Sequence, residues 1–160
     1  MTTRMVAVTA GILLSALILT EHLMGWRIGV FSSVATMALL VLSVSIVVPT
    51  AFLKNADDPI RQAFKSGLSA SVILGGFAAI SVVILHHWLH PEFIEEILVK
   101  TREVMSAESA SEEDIKAALA LKKKMFSPFV LMATTLFKLI FSGGLLSLIV
   151  TGIMVVIKRK

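Results

Sequence analysis

An uncharged run occupies positions 28–53 and reads IGVFSSVATMALLVLSVSIVVPTAFL. A helix of about 20 apolar residues crosses roughly 30 Å of hydrocarbon, so this run is long enough to span a bilayer. Pro49 lies near its end, where a kink or a helix stop costs little. The stretch therefore predicts a transmembrane helix, and it places the chain among membrane proteins.

Two further runs have the same character. The first, at about 5–24, carries no charge between Met5 and Glu21, and no small-residue cleavage site follows it, so we expect an uncleaved span. The other, at about 63–88, follows Asp58 and Pro59. Asp is a favourable helix cap and Pro fits the first helical position, so this helix should begin before the membrane.

The last apolar run, 125–157, is too long for a single crossing. Lys138 is its only charged residue. We expect Ser127 and Pro128 to start the helix near the interface and the span proper to cover about 137–157. Lys138 then reaches one interface while the basic tail at 158–160 lies at the other.

Composition agrees with a single membrane domain covering 1–160. The chain is 56% hydrophobic and 16% charged, against about 45–50% and about 25% in soluble domains. The net charge is +4, but the basic residues flank apolar runs, which is typical of membrane topology and not of nucleic-acid binding. The absence of cysteine excludes disulfides and thiolate metal sites, and we expect no cofactor.

The only substantial polar segment, about 91–125, should form two short amphipathic helices. Acidic residues cluster at the predicted start of each helix, where the helix dipole favours them. Ser111 and Asp114 resemble a capping box, and Lys122–Lys124 close the second helix. The sequence thus predicts an all-α integral membrane protein with four transmembrane helices and a two-helix amphipathic insert between spans three and four.

Four spans put both termini on one side of the membrane. Basic residues divide equally between the two sides, but those on the terminal side lie in very short segments, where the positive-inside bias is strongest. We therefore expect cytoplasmic termini and a periplasmic insert at 91–125. The lysine triplet beside the fourth span is the main argument for the opposite orientation.

Small residues recur every four positions along the third and fourth spans. Such stripes let helix backbones approach closely in lipid. They can hold together one four-helix bundle, or the third-span stripe can be a surface for a second copy or a protein partner. The residues concerned are Gly67, Ser71, Gly75, Ala79, Gly143 and Ser147.

Histidines cluster at the end of the third span. His86 and His90 are four residues apart, so they share a helix face and could together bind a metal ion. The alternative is that they are amphipathic interface residues beside Trp88, which with Trp26 and Lys138 would anchor the protein at the interfaces. Lys138 could also bind an anionic lipid or substrate.

Three short stretches resemble a family of small bacterial membrane proteins, domain of unknown function 4199. They are DPIRQAFKSG at 58–67, FSP at 126–128 and SGGLLSLI at 142–149. The resemblance extends over the whole layout of spans and insert. It implies a location in the bacterial inner (plasma) membrane and nothing about activity.

No residue set in the sequence predicts catalysis. We expect a non-enzymatic protein, an accessory subunit or interaction partner in the inner membrane. The alternative is a small oligomeric transporter or channel, although no span carries a charge near its middle. A third reading is metal or lipid handling through the histidine cluster and Lys138.

Overall fold

A computed structural model of the protein describes residues 3–23 and 30–158, with side chains for 4–20 and 33–158. These residues are helical with short connections, and no strand occurs among them. The helices are α1 Thr3–Leu23, α2 Val30–Lys54, α3 Pro59–Ile84, α4 Phe93–Ala107, α5 Glu112–Met125 and α6 Pro128–Lys158.

Three helical stretches are long and apolar enough to cross a membrane: Ser33–Lys54, Pro59–Leu89 and Pro128–Lys158. The all-helical, membrane-type fold predicted from the sequence is therefore confirmed. In α1 the described apolar stretch, Arg4–Thr20, is shorter. A fourth crossing by α1 stays a prediction.

The helix boundaries follow local chemistry. Asp58 caps α3 by accepting a 3.3 Å hydrogen bond from the Arg61 amide, and Pro59 is the first helical residue, as predicted. Helix α2 continues through Pro49 to Lys54. Helix α6 begins at Pro128 and is 31 residues long, or about 46 Å. Lys138 lies within it and does not interrupt it.

Helices α2 and α3 form the centre of the bundle. They contact each other, and both contact α1 and α6. Helix α1 lies on one side of this central pair and α6 on the other. Of the most apolar window in each helix, 44% is buried in α3 but only 17% in α6. The large apolar side chains on the outside of α6 therefore face the surroundings of the protein, as they do in a helix that contacts lipid.

Four residues form a small-residue seam where α3 crosses α6: Gly67, Ser71, Gly143 and Ser147. A β-carbon added at Gly67 would meet the Ser147 side chain, and one added at Gly143 would meet the Ser71 side chain. Each serine donates a hydrogen bond to the glycine carbonyl one turn earlier in its own helix, at 2.9 Å for Ser71 and 2.6 Å for Ser147. The seam lets the two backbones approach closely without leaving a hydroxyl unsatisfied.

Helix α1 packs on α3 by a similar device. Gly11 lies against the Phe77 ring, which leaves no room for a β-carbon there. One turn further along both helices, the Ser15 and Ser81 hydroxyls share a hydrogen bond with 2.8 Å between their oxygens. Because the pairs 11–77 and 15–81 advance together, α1 runs parallel to α3.

Helices α4 and α5 pack on each other as a hairpin beyond the end of α3. Their connection holds Ser109 at φ 58°, a left-handed conformation that follows the end of α4. Ser111 caps α5: its hydroxyl accepts from the Asp114 amide and donates to the Asp114 carboxylate at 2.6 Å. The two side chains therefore bond to each other, which differs from the reciprocal backbone pairing of a full capping box.

Candidate functional site: an interhelical pocket

Helix α3 ends in a π-helical turn, Leu85–Leu89. The His90 amide donates to the Leu85 carbonyl, five residues earlier, at 2.8 Å. A π turn inserts a residue into the helical repeat and often occurs at functional sites. Here it carries His86, whose ring lies partly buried between the bundle and the α4–α5 hairpin.

A cavity of about 190 Å³ lies beside this turn, and we call it the interhelical pocket. Helices α1, α2, α3 and α6 all contribute to its wall, at the end of the bundle where α3 passes into the π turn. The apolar part of the wall comprises Ile18, Met37, Ala78, Val82, Leu85 and Leu139. The polar part comprises Ser33, Thr36, His86, Thr135 and Lys138.

The polar part of the wall is rich in hydrogen-bond donors. Lys138 supplies an ammonium group from α6, and it forms no ion pair with any carboxylate in the part of the chain that the structure describes. His86 adds an imidazole, and three hydroxyls complete the set. Since the described residues of the wall include a cation and no acidic side chain, their electrostatics favour an anionic group.

The pocket is closed on its inner side. Leu139 forms part of its wall and is 2% exposed. Beyond it, Leu14, Leu40 and Leu74 are buried at the centre of the bundle. The small-residue seam lies further along the same interface between α3 and α6. Within the described chain the pocket is therefore a recess with an apolar interior, and it does not lead through the bundle.

An aromatic cluster fixes His86. Its ring stacks on Phe93 at 4.2 Å between centroids and 26° between planes. Phe93 in turn packs edge-on against Phe126 at 6.0 Å, just before α6. Phe93, the first residue of α4, and Phe126, at the end of α5, thus hold His86 against the pocket. They connect the α4–α5 hairpin to the site.

The second histidine of the predicted metal pair, His90, lies edge-on to Phe93 at 6.0 Å. In the described part of the chain, no three side chains among His, Cys, Asp and Glu lie together as a metal site would require. Glu92, Glu95 and Glu96 instead line a separate groove along α4. Metal binding by His86 and His90 stays a prediction.

The other predicted residues lie in three settings. Trp88 is 80% exposed on the π turn, and Lys138 is exposed at the pocket. Trp26 lies outside the described residues. The predicted packing residues are all buried: the four residues of the seam, then Gly75 against Leu136 and Leu139, and Ala79.

A shallow apolar groove on α2, which we call the α2 groove, adjoins the pocket. Two rows of residues spaced four apart form it: Ser33, Met37 and Val41 in one row, and Val34, Ala38 and Leu42 in the other. Ser33 and Met37 also line the pocket, so the two depressions meet. From there the groove follows α2 away from the pocket end for about 13 Å.

Comparison with known proteins agrees with the resemblance seen in the sequence. The model of the family described as Protein of unknown function (DUF4199) matches residues 6–155. The chain belongs to this family. No curated protein and no solved structure matches it. Family membership therefore assigns this DUF4199 protein no activity, and its membrane character rests on the three long apolar helices.

Sequence reasoning missed the hydroxyl side of the pocket in this DUF4199 protein. It identified His86 and Lys138 separately, and it treated serine and threonine as parts of packing stripes. Thr36 and Thr135 lie outside those stripes, and Thr135 is three residues from Lys138 on α6. That spacing places Thr135 and Lys138 on one helix face. The sequence alone could therefore have suggested that the two side chains line a common site.

Proposed function

We propose that this protein is a four-span protein of the bacterial inner membrane with a non-enzymatic role, as an accessory subunit or interaction partner of another membrane protein. The observation that carries the proposal is the closed core. The seam between α3 and α6 and the buried leucines fill the interior, and the interhelical pocket between the four long helices is a recess. A rigid bundle with a ligand-sized recess suits a binding component better than a conduit.

The fourth span is α1. Its 21 residues measure about 31 Å, close to the thickness of the hydrocarbon core. It lies parallel to α3, buries Ala7, Leu14 and Ile18 in the bundle, and exposes Ile12 and Leu13. This arrangement supports cytoplasmic termini, with Arg4, Lys54, Arg61, Lys65 and Lys158 together at one end, and a periplasmic α4–α5 hairpin.

The topology is testable because the chain has no cysteine. Single cysteines at Thr3, Ala56 and Ser109 are labelled with a membrane-impermeant maleimide in cells whose outer membrane has been permeabilised. We expect Ser109→Cys to react, and Thr3→Cys and Ala56→Cys to react only after the inner membrane is opened. Reaction of Thr3→Cys together with Ser109→Cys would mean that α1 does not cross.

The accessory role is tested by recovery of a partner. The protein is tagged at its C-terminus, cross-linked in native membranes and purified in mild detergent. A foreign subunit present in fixed proportion supports the proposal. If the protein is recovered alone as a defined oligomer, and proteoliposomes containing it leak ions or solutes, the accessory role is wrong and the oligomeric transporter or channel replaces it.

A further inference from the structure

We propose that the interhelical pocket binds the headgroup of an anionic membrane lipid, with one acyl chain lying along the α2 groove. This assignment rests on the four-span arrangement proposed above, since that arrangement puts Lys138 at the level of the lipid headgroups. It goes beyond the accessory role by naming the ligand class and the residues that hold it.

Charge selects the headgroup. Among the described residues of the pocket wall are the Lys138 ammonium, the His86 imidazole and hydroxyls on α2 and α6, and none of them is acidic. A lysine ammonium offers three donors and accepts none, so it suits phosphate or carboxylate oxygens. A neutral or cationic headgroup would leave the ammonium without a counterion.

The pocket is small. Its volume of about 190 Å³ lies below the roughly 300–1,000 Å³ of a typical drug-sized ligand site, so it suits a headgroup better than two acyl chains. A lipid bound here by its headgroup would leave its chains along the outside of the bundle.

The α2 groove provides the path for one chain. It meets the pocket at Ser33 and Met37 and is otherwise lined by apolar residues on a single helix face. Helix α2 runs from the pocket end of the bundle towards Lys54 at the other end. A chain that leaves the pocket along the groove thus points into the hydrocarbon core, which is the direction a lipid chain takes from its headgroup.

The direct test is a lipid titration of the purified, delipidated full-length protein, read by native mass spectrometry. The probes are dioleoyl phosphatidylglycerol and dioleoyl phosphatidylcholine, which differ in headgroup only. We expect the anionic lipid to bind about tenfold more tightly, the effect of one charge-assisted contact. Equal affinity for the two lipids would overturn the proposal.

Variants locate the headgroup site. Lys138→Gln should lower the affinity for phosphatidylglycerol about tenfold, and Lys138→Arg should restore it, since Arg keeps the charge. Lys65→Gln, which removes an equal charge at the opposite end of the bundle, is the matched control and should change affinity less than about twofold. Equal losses in Lys138→Gln and Lys65→Gln would mean that binding follows net charge and not the pocket.

A second pair of variants tests the chain path. Met37→Trp fills the junction of pocket and groove and should weaken binding of the same lipid, whereas Ile153→Trp, on the exposed face of α6 and far along that helix from the pocket, should not. A competition arm separates lipid from soluble anion. If excess inorganic phosphate displaces the lipid from the protein, the ligand is a free anion and the lipid assignment is wrong.

Failure of this proposal can be told apart from failure of the proposed function. Lipid binding is measured on the protein alone, whereas topology is read by cysteine labelling in cells and the accessory role by partner recovery. A correct topology with no headgroup preference would overturn only the lipid site. Reaction of Thr3→Cys with the external reagent would overturn the four-span arrangement whatever the lipid titration gives.

Discussion

The two ends of the α3–α6 interface are built from the same helices but pack differently. At Gly67 and Gly143 an added β-carbon would collide with a serine of the facing helix. At Gly75 the nearest side-chain atom, of Leu136, lies 3.1 Å away, and at Gly76 nothing lies within 4 Å. The interface thus changes from backbone-level contact to side-chain contact within about two turns of α3, whereas Gly76 lies outside the interface, in the outward-facing row with Val72 and Ile80.

The difference shows how one bundle can hold both a closed core and a binding recess. Small residues facing small residues bring two helices together and seal the interior. Where a leucine takes over the facing position, side chains meet instead of backbones, and the pocket lies beside the π turn. Stability should therefore reside mainly in the seam, while ligand binding should depend on the pocket end.

The largest expected effect is at the seam. Gly143→Ala puts a methyl group into the space of the Ser71 side chain, and overpacking of this kind costs about 1–3 kcal/mol. Gly76→Ala is the matched control, because its methyl group enters open space and alanine is the better helix former by about 0.5–1 kcal/mol. Thermal unfolding in detergent, followed by circular dichroism, should show a lower Tm for the first variant and an unchanged or higher Tm for the second.

Equal melting temperatures for Gly143→Ala and Gly76→Ala would remove the distinction between the tightly packed seam and the open position at Gly76. It would mean that α6 can shift away from α3 at little cost, and that the seam does not hold the core closed. The oligomeric channel would then gain weight, since a bundle that opens easily can rearrange.

The middle of the interface gives the next largest effect. Gly75→Ala brings a methyl group to 3.1 Å from Leu136 Cδ1, the end of a flexible side chain that can give way, so we expect a cost of about 1 kcal/mol. Because Gly75 is buried against α6, we expect lower stability and no change in oligomeric state, measured by size-exclusion chromatography with light scattering. Loss of an oligomer with stability unchanged would instead identify the α3 stripe as a surface for a second copy.

The contact of α1 should be weaker than the seam. A double-mutant cycle with Ser15→Ala and Ser81→Ala isolates their shared hydrogen bond, and such bonds in membrane proteins average about 0.6 kcal/mol. We expect a coupling energy of that size in the unfolding free energy. A coupling of zero would show that α1 packs on α3 through Gly11 and Phe77 alone, or that α1 is not held against the bundle.

Much of this fold could be predicted because its elements are local. Long uncharged runs, the Asp58–Pro59 start and the four-residue spacing of small side chains are all readable from the sequence, and the structure places the small side chains inside the bundle. The pocket is not local. It depends on how four helices meet beside the π turn at Leu85–Leu89, and that turn contains no proline or glycine that would predict it. His86, Lys138 and Thr36 lie far apart in the chain, so only the fold brings them together.

The smallest expected effect lies outside the bundle, in the hairpin next to the pocket. Ser109 holds φ 58°, which costs a side-chain-bearing residue about 1 kcal/mol and costs glycine much less. Ser109→Gly should therefore stabilise the hairpin by about 0.5–1 kcal/mol, whereas Ser106→Gly, one turn earlier within α4, should weaken it. Amide hydrogen exchange of α4 and α5 measures both. Slower exchange of α4 and α5 in Ser109→Gly, with exchange in α3 and α6 unchanged, would show that the hairpin opens independently of the closed core. Slower exchange throughout the bundle would show that Phe93 and Phe126 couple the hairpin to the core.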